Sequence, residues 1–141
     1  MLRQCLESVY AADPEVTFEV WVVDNASTDG SAGMVREAFP GVRLIENPQN
    51  LGFARANNQA LAACTGRYAL LLNSDAFLGE GAAAALVKAL EDDPRVGIAG
   101  ACLVYPDGRE QVSYGRLPSL LREMGSLVGL DKWSKGGGKK G

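Results

Sequence analysis

Two apolar runs that each deliver an acid constrain this chain most. "FEVWVVD" closes on Asp24, and "RYALLLNSD" passes through Asn73 to Asp75. Short apolar runs without polar alternation read as strands buried on both faces. A carboxylate at the end of such a run must leave the apolar interior or meet a cation. Segments with helical spacing lie around them. Leu2, Leu6, Val9 and Tyr10 predict a helix over 2–12, ended by "ADP". "SAGMVREAF" predicts a short helix stopped by "PG". "FARANNQALAAC" predicts another, followed by "TG", and "AAAALVKALEDD" a fourth, closed by Pro94. "VRLIE" and "VGIAGACLVY" read as further strands, and "PDG" as a turn into a fifth at "REQVS". Residues 118–130 fit one more helix, and 131–141 a flexible Gly/Lys tail.

Strands alternating with helices imply an α/β fold whose mostly parallel sheet is covered on both faces. Ligands in such folds sit outside the carboxyl ends of the strands. Asp24 and Asp75 are therefore expected on one rim. A fold of this kind normally opens with a strand, whereas this sequence opens in a helix. It reads as a piece lacking its first strand, with one partial domain over 1–130.

Composition narrows the chemistry. The 141 residues are 47% hydrophobic and 22% charged, with net charge −3 and no large basic patch, which argues against nucleic acid as a partner. The absence of histidine removes the commonest general base and leaves oxygen or cysteine as metal ligands. Cys5, Cys64 and Cys102 lack CxxC spacing and read as reduced, mostly buried thiols of a cytoplasmic protein. No apolar run reaches the roughly 20 residues a membrane span needs, and no signal peptide is visible.

Asp75, beyond a strand end and before a Gly-rich loop, suits a magnesium or manganese ion that draws its other ligands from phosphate and water. From spacing alone it reads better as a side-chain cap on the turn, because strand-ending aspartates are common. Asp24 and Asn25 can bond a nucleobase or ribose at the rim, or simply begin the loop to a helix. Ser27, Thr28 and Asp29 are all good helix N-caps, and for Asp29 capping is the favoured reading over a role at the rim. In "NLGFARANNQAL", Gly52 permits a close backbone approach. Arg55 stands in a first helical turn, where the dipole disfavours a cation and an anionic partner would explain it. As a lone feature it reads better as a surface arginine. No GxGxxG follows a strand, and there is no P-loop or GxSxG motif.

"VWVVDNASTDGS", "NLGFARANNQAL" and "LLLNSDAFL" occur in the order and spacing of family 2 glycosyltransferases. Over roughly residues 1–115 the chain resembles the bacterial rhamnosyltransferase-like branch of that family. The resemblance implies a nucleotide-diphospho-sugar transferase fold of the GT-A class, Rossmann-like, in three α/β/α layers. It implies metal-assisted, inverting transfer of a sugar from a nucleotide-sugar donor, with dTDP-rhamnose as the analogy, to a glycan or lipid-linked acceptor. Asp24 matches the acid that contacts the donor's base or ribose, with Asn25 beside it. Asn50, Gly52 and Arg55 fall in the segment lining the donor pocket. Asp75 matches the last acid of the metal-binding DxD motif, here "NSD", with Asn73 in first place. The cofactor implied is a divalent cation, Mn or Mg. The family's opening "VIVTYN"-like strand and its downstream "ED" base motif are not found. Asp107 and Glu110 read as turn and surface residues, so the catalytic base is expected outside the chain and the chain alone inactive. The other reading is a non-catalytic remnant that binds a nucleotide or a partner chain. The expected location is the cytoplasm, at the inner membrane face in one version.

Overall fold

The computed structural model describes residues 1–111. The helix expected over 118–130 and the tail over 131–141 lie outside them. The chain divides into two units, Met1–Ala101 and Cys102–Gly141.

Helix α1 (Leu2–Ala12) buries Cys5, Leu6, Val9 and Ala12, one stripe at helical spacing. Strand β1 (Trp21–Asp24) follows, then helix α2 (Ser31–Ala38) and strand β2 (Arg43–Glu46). β1 and β2 pair in parallel, with Trp21 opposite Arg43 and Asp24 opposite Glu46. The peptide N–H groups of Arg43 and Asn47 donate to the carbonyls of Val20 and Asp24, each at 2.9 Å, and extend the ladder at both ends. Val35 of α2, 1% exposed, is the deepest side chain among the described residues. Helix α3 (Phe53–Ala63) packs on β1 and buries Ala56, while helix α4 (Ala82–Asp92) buries Ala83. The four helices lie where the apolar spacing put them, within a residue at each end.

The amino end of β1 is held by charge. Glu19 pairs with Arg43 at 2.9 Å and accepts hydrogen bonds from Thr65 N and Oγ1 at 2.9 and 3.2 Å. The Arg43 guanidinium also lies over the Trp21 ring. This knot ties β1, β2 and the end of α3 together.

In the second unit, strands β3 (Leu103–Val104) and β4 (Glu110–Gln111) form an antiparallel hairpin through "PDG". Gly108 takes φ +81°, and its N–H closes the turn on the Tyr105 carbonyl at 2.8 Å.

Three expectations are corrected. "RYALLLN" forms no strand, and Leu70 and Leu71 are 45% and 55% exposed. "VGIAGACLVY" contributes only Leu103–Val104, and Ile98 is 90% exposed. Both runs have strand composition, but a ladder needs a neighbour to take its N–H and C=O groups. Among the described residues β1 pairs with β2 alone, and residues 67–73 pair with none. The cysteines are all free as expected, yet only Cys5 is buried. Cys64 is half-buried and Cys102 exposed, because the segments carrying them are not covered.

Candidate functional site

The carboxyl end of β1 turns on Asp24. Both its carboxylate oxygens accept from the Ser27 N–H, at 3.3 and 3.2 Å. This bond bends the chain through Ala26, which takes φ 69°, uncommon for a residue other than glycine. The turn leads to α2, where Gly30 stands at the N-cap. Asp29 acts one residue earlier than a cap: its Oδ1 accepts from Ser31 N at 3.0 Å. That hydrogen-bonding to Ser31 holds its carboxyl below the ordinary value.

A second layer joins this loop to α3. Asn25 Nδ2 donates to Asn50 Oδ1 at 2.7 Å, while Asn25 Oδ1 accepts from Leu51 N at 2.9 Å and Asn47 Nδ2 at 3.3 Å. Asn50 Oδ1 also receives Gly52 N at 2.8 Å. Asn47, only 7% exposed, exchanges two hydrogen bonds with Gln59, both at 2.9 Å. Asn25 and Asn50 are thus committed to each other and to backbone, as ties between loops. Gly52 takes φ 80° and ψ 164°, a conformation essentially confined to glycine, and starts α3. Arg55 is exposed in the first turn of α3, one helical turn before Gln59.

The "NSD" segment lies beside α1. The Asn73 carbonyl accepts from Cys5 Sγ at 3.5 Å and from Ala76 N at 3.1 Å. Asp75 is exposed. Burial, and then the negative Asp75, push the Cys5 thiol above its ordinary value.

A cleft of about 550 Å³ opens between these parts. Its polar lining includes Asp24, Ser27, Asp29, Ser31 and Ser74; Val22, Val23, Leu2 and Met34 supply apolar walls. Asp24, at the end of β1, and Ser74, inside "NSD", meet here although they are distant in sequence. Asn73 and Asp75 flank Ser74 and do not themselves line the cleft, nor do Asn25, Asn50, Gly52 and Arg55.

No group of three or more His, Cys, Asp or Glu residues among the described residues makes a metal cage. A lone exposed carboxylate at Asp75 fits only a cation that takes most of its oxygens from phosphate and water. Asp107 is spent on its turn. It accepts from Arg109 Nε at 2.8 Å and from Arg109 N at 3.1 Å, and these bonds hold its carboxyl below the ordinary range.

Sequence reasoning missed Asn47, Gln59, Ser8 and Asp13. Ser8 Oγ receives Leu78 N at 2.9 Å, and the buried Asp13 receives Ala83 N at 3.0 Å, within the first turn of α4. Their one signal is polarity within or beside apolar helical stretches.

Comparison with known proteins places the chain in a family. Two bacterial relatives are an N-acetylglucosaminyl-diphospho-decaprenol L-rhamnosyltransferase of Mycobacterium tuberculosis and a chondroitin synthase of Escherichia coli. The first is 32% identical over 114 residues, covering 73% of this chain and 37% of the relative. The second is 34% identical over 120 residues, covering 82% of this chain and 16% of the relative. The chain thus spans well under half the length of either. No solved structure matches it significantly. The family model described as glycosyl transferase family 2 matches residues 1–137. The chain belongs to glycosyl transferase family 2, and its α/β architecture is part of the GT-A nucleotide-sugar transferase fold.

Proposed function

We propose that the chain is the donor-binding part of a glycosyltransferase acting on a nucleoside-diphosphate sugar. The observation that carries this reading is the cleft shared by Asp24 and Ser74 at the carboxyl end of a parallel strand, where α/β folds bind ligands. Asp24, oriented by Ser27 N, accepts from the ribose or base of the donor. The Gly30–Ser31 start of α2 offers the positive end of a helix to phosphate. Arg55, on the helix registered by the Asn47–Gln59 pair, stands outside the lining of that cleft, and the Asn73 carbonyl closes the turn that carries Asp75.

Asp75 would hold a Mn or Mg ion together with the diphosphate, and such an ion neutralises charge on the departing diphosphate. The acceptor hydroxyl must lose its proton to a base within hydrogen-bond reach. Asp107, with its lowered basicity and two bonds to Arg109, is poorly suited to that role. The mycobacterial relative's name supports a rhamnosyl donor such as dTDP-rhamnose and a lipid-diphosphate-linked acceptor. That acceptor class would place the reaction at the cytoplasmic face of a membrane, with inversion at the sugar. No helix among the described residues is long and apolar enough to cross the bilayer.

Calorimetry tests the reading. Thymidine diphosphate is expected to bind more tightly with Mn²⁺ than with chelator, and Asp75→Asn to remove most of that difference. Equal binding with and without metal, in a folded sample, refutes it.

A further inference from the structure

The segment from Asn73 to Gly81 is irregular, and what fastens it comes largely from α1. Two close turns are internal, Ala76 N to Asn73 O at 3.1 Å and Ala82 N to Gly79 O at 3.1 Å. Three ties run from it to α1, and a fourth joins the first turn of α4 to the residue after α1. Cys5 Sγ donates to the Asn73 carbonyl at 3.5 Å. Ser8 Oγ accepts from Leu78 N at 2.9 Å while its own proton goes to the Cys5 carbonyl at 2.7 Å. Gly81 N donates to the Ala12 carbonyl at 3.2 Å, and Ala83 N to Asp13 Oδ2 at 3.0 Å. Positions 5, 8 and 12 recur on one face of a helix. Asp75 lies between the first tie and the second.

We propose that Ser8 is a positioning residue: its hydroxyl, oriented by the Cys5 carbonyl, holds Leu78 N and so fixes the loop that presents Asp75 beside the cleft. This rests on the donor-site reading above. The Ser8 hydroxyl is used in both directions, as acceptor and as donor, so its angle is set by α1 rather than by solvent. The flanking Asn73 tie uses the Cys5 thiol as its donor. Without the Ser8 tie the loop samples arrangements in which Asp75 is misplaced, and metal-assisted binding falls by the fraction of time spent in them.

The test compares the unmodified chain with Ser8→Ala and Ser8→Thr, using thymidine diphosphate with and without Mn²⁺ in calorimetry and amide exchange at Leu78. In the unmodified chain the Leu78 amide is expected to exchange more slowly than those of Phe77 and Gly79. In Ser8→Ala the Mn²⁺ enhancement of affinity is expected to drop about five- to tenfold. Metal-free affinity should stay within about twofold, and Ser8→Thr should restore the enhancement. A merely structural role would lower the melting temperature and leave that enhancement unchanged. An unprotected Leu78 amide in the unmodified chain overturns the assignment without any substitution, whether or not Ser8→Ala folds. So does a folded Ser8→Ala with full Mn²⁺ enhancement. An unmodified chain with a protected Leu78 amide but no Mn²⁺ enhancement defeats the donor-site reading, and with it this role for Ser8.

Discussion

Replacing Asn47 by alanine probes the joint between β2 and α3. Asn47 is 7% exposed and takes part in three side-chain hydrogen bonds, two reciprocal ones with Gln59 at 2.9 Å and one to Asn25 at 3.3 Å. A typical intramolecular hydrogen bond is worth about 0.5–1.5 kcal/mol net, and a buried group left unpaired costs about 1–3 kcal/mol. Gln59 is half-buried, so water recovers part of its loss. The 3.3 Å bond is the weakest of the three. The sum is about 2–3 kcal/mol, a large fraction of the stability of a small domain. Urea unfolding followed by circular dichroism reads it directly: the midpoint falls and the slope is retained. Gln59→Ala removes the same two bonds, so the double variant should lose less than the two single losses combined, with a coupling of about 1–2 kcal/mol. A loss under about 0.5 kcal/mol for Asn47→Ala, or strict additivity in the double variant, refutes the reasoning.

Gly52→Ala should cost about 1–3 kcal/mol in the same unfolding assay, from backbone strain at φ 80° alone, because an added Cβ meets nothing within 4 Å. Asp13→Ala should lower stability by about 0.5–2 kcal/mol by uncapping Ala83 N, and Asp13→Asn, which keeps an acceptor, should recover most of it in thermal melts. Glu19 is held below its ordinary value of 4.5, first by the neighbouring Trp21 indole, whose buried Nε1 completes no hydrogen bond, and then by Thr65 N–H. A carboxyl lowered by folding stabilises the fold above its unfolded value, and that contribution disappears as pH falls through the folded one. The stability difference between the unmodified chain and Glu19→Gln should therefore be flat above about pH 5 and shrink below 4.5 in acid titrations. A thiol reagent should label Cys102 fastest and Cys5 slowest, because the first is exposed and the second buried.

The helices were legible because their signals are local. Leu2, Leu6, Val9 and Tyr10 mark a helix whatever surrounds them, and Pro14, Pro40 and Pro94 stop helices by their own chemistry. Strands are not local in that sense. "FEVWVVD" and "RYALLLN" are both short, largely apolar runs, yet only the first finds a ladder partner, in Arg43–Glu46. The site divides the same way. The turn at Asp24 follows from a carboxylate at a strand end beside a free N–H, a geometry spanning three residues. Asn25 and Asn50 read from sequence as groups available to a ligand. Their bond to each other spans a crossover, and an amide pattern in a loop carries no hint of it. Asn47 and Gln59 give no signal of their pairing in the sequence for the same reason: each looks solvated until the fold joins them.

The central claim, a metal-assisted donor site at the carboxyl end of β1, is tested most directly by crystals of the 141-residue chain grown with thymidine diphosphate and Mn²⁺. Diffraction at the manganese edge would locate the ion. The expected result is one manganese about 2 Å from an Asp75 carboxylate oxygen, bridged to the diphosphate, with the nucleoside in the cleft against Asp24. Nucleotide bound away from that cleft, or manganese that leaves Asp75 uncoordinated, would contradict the claim.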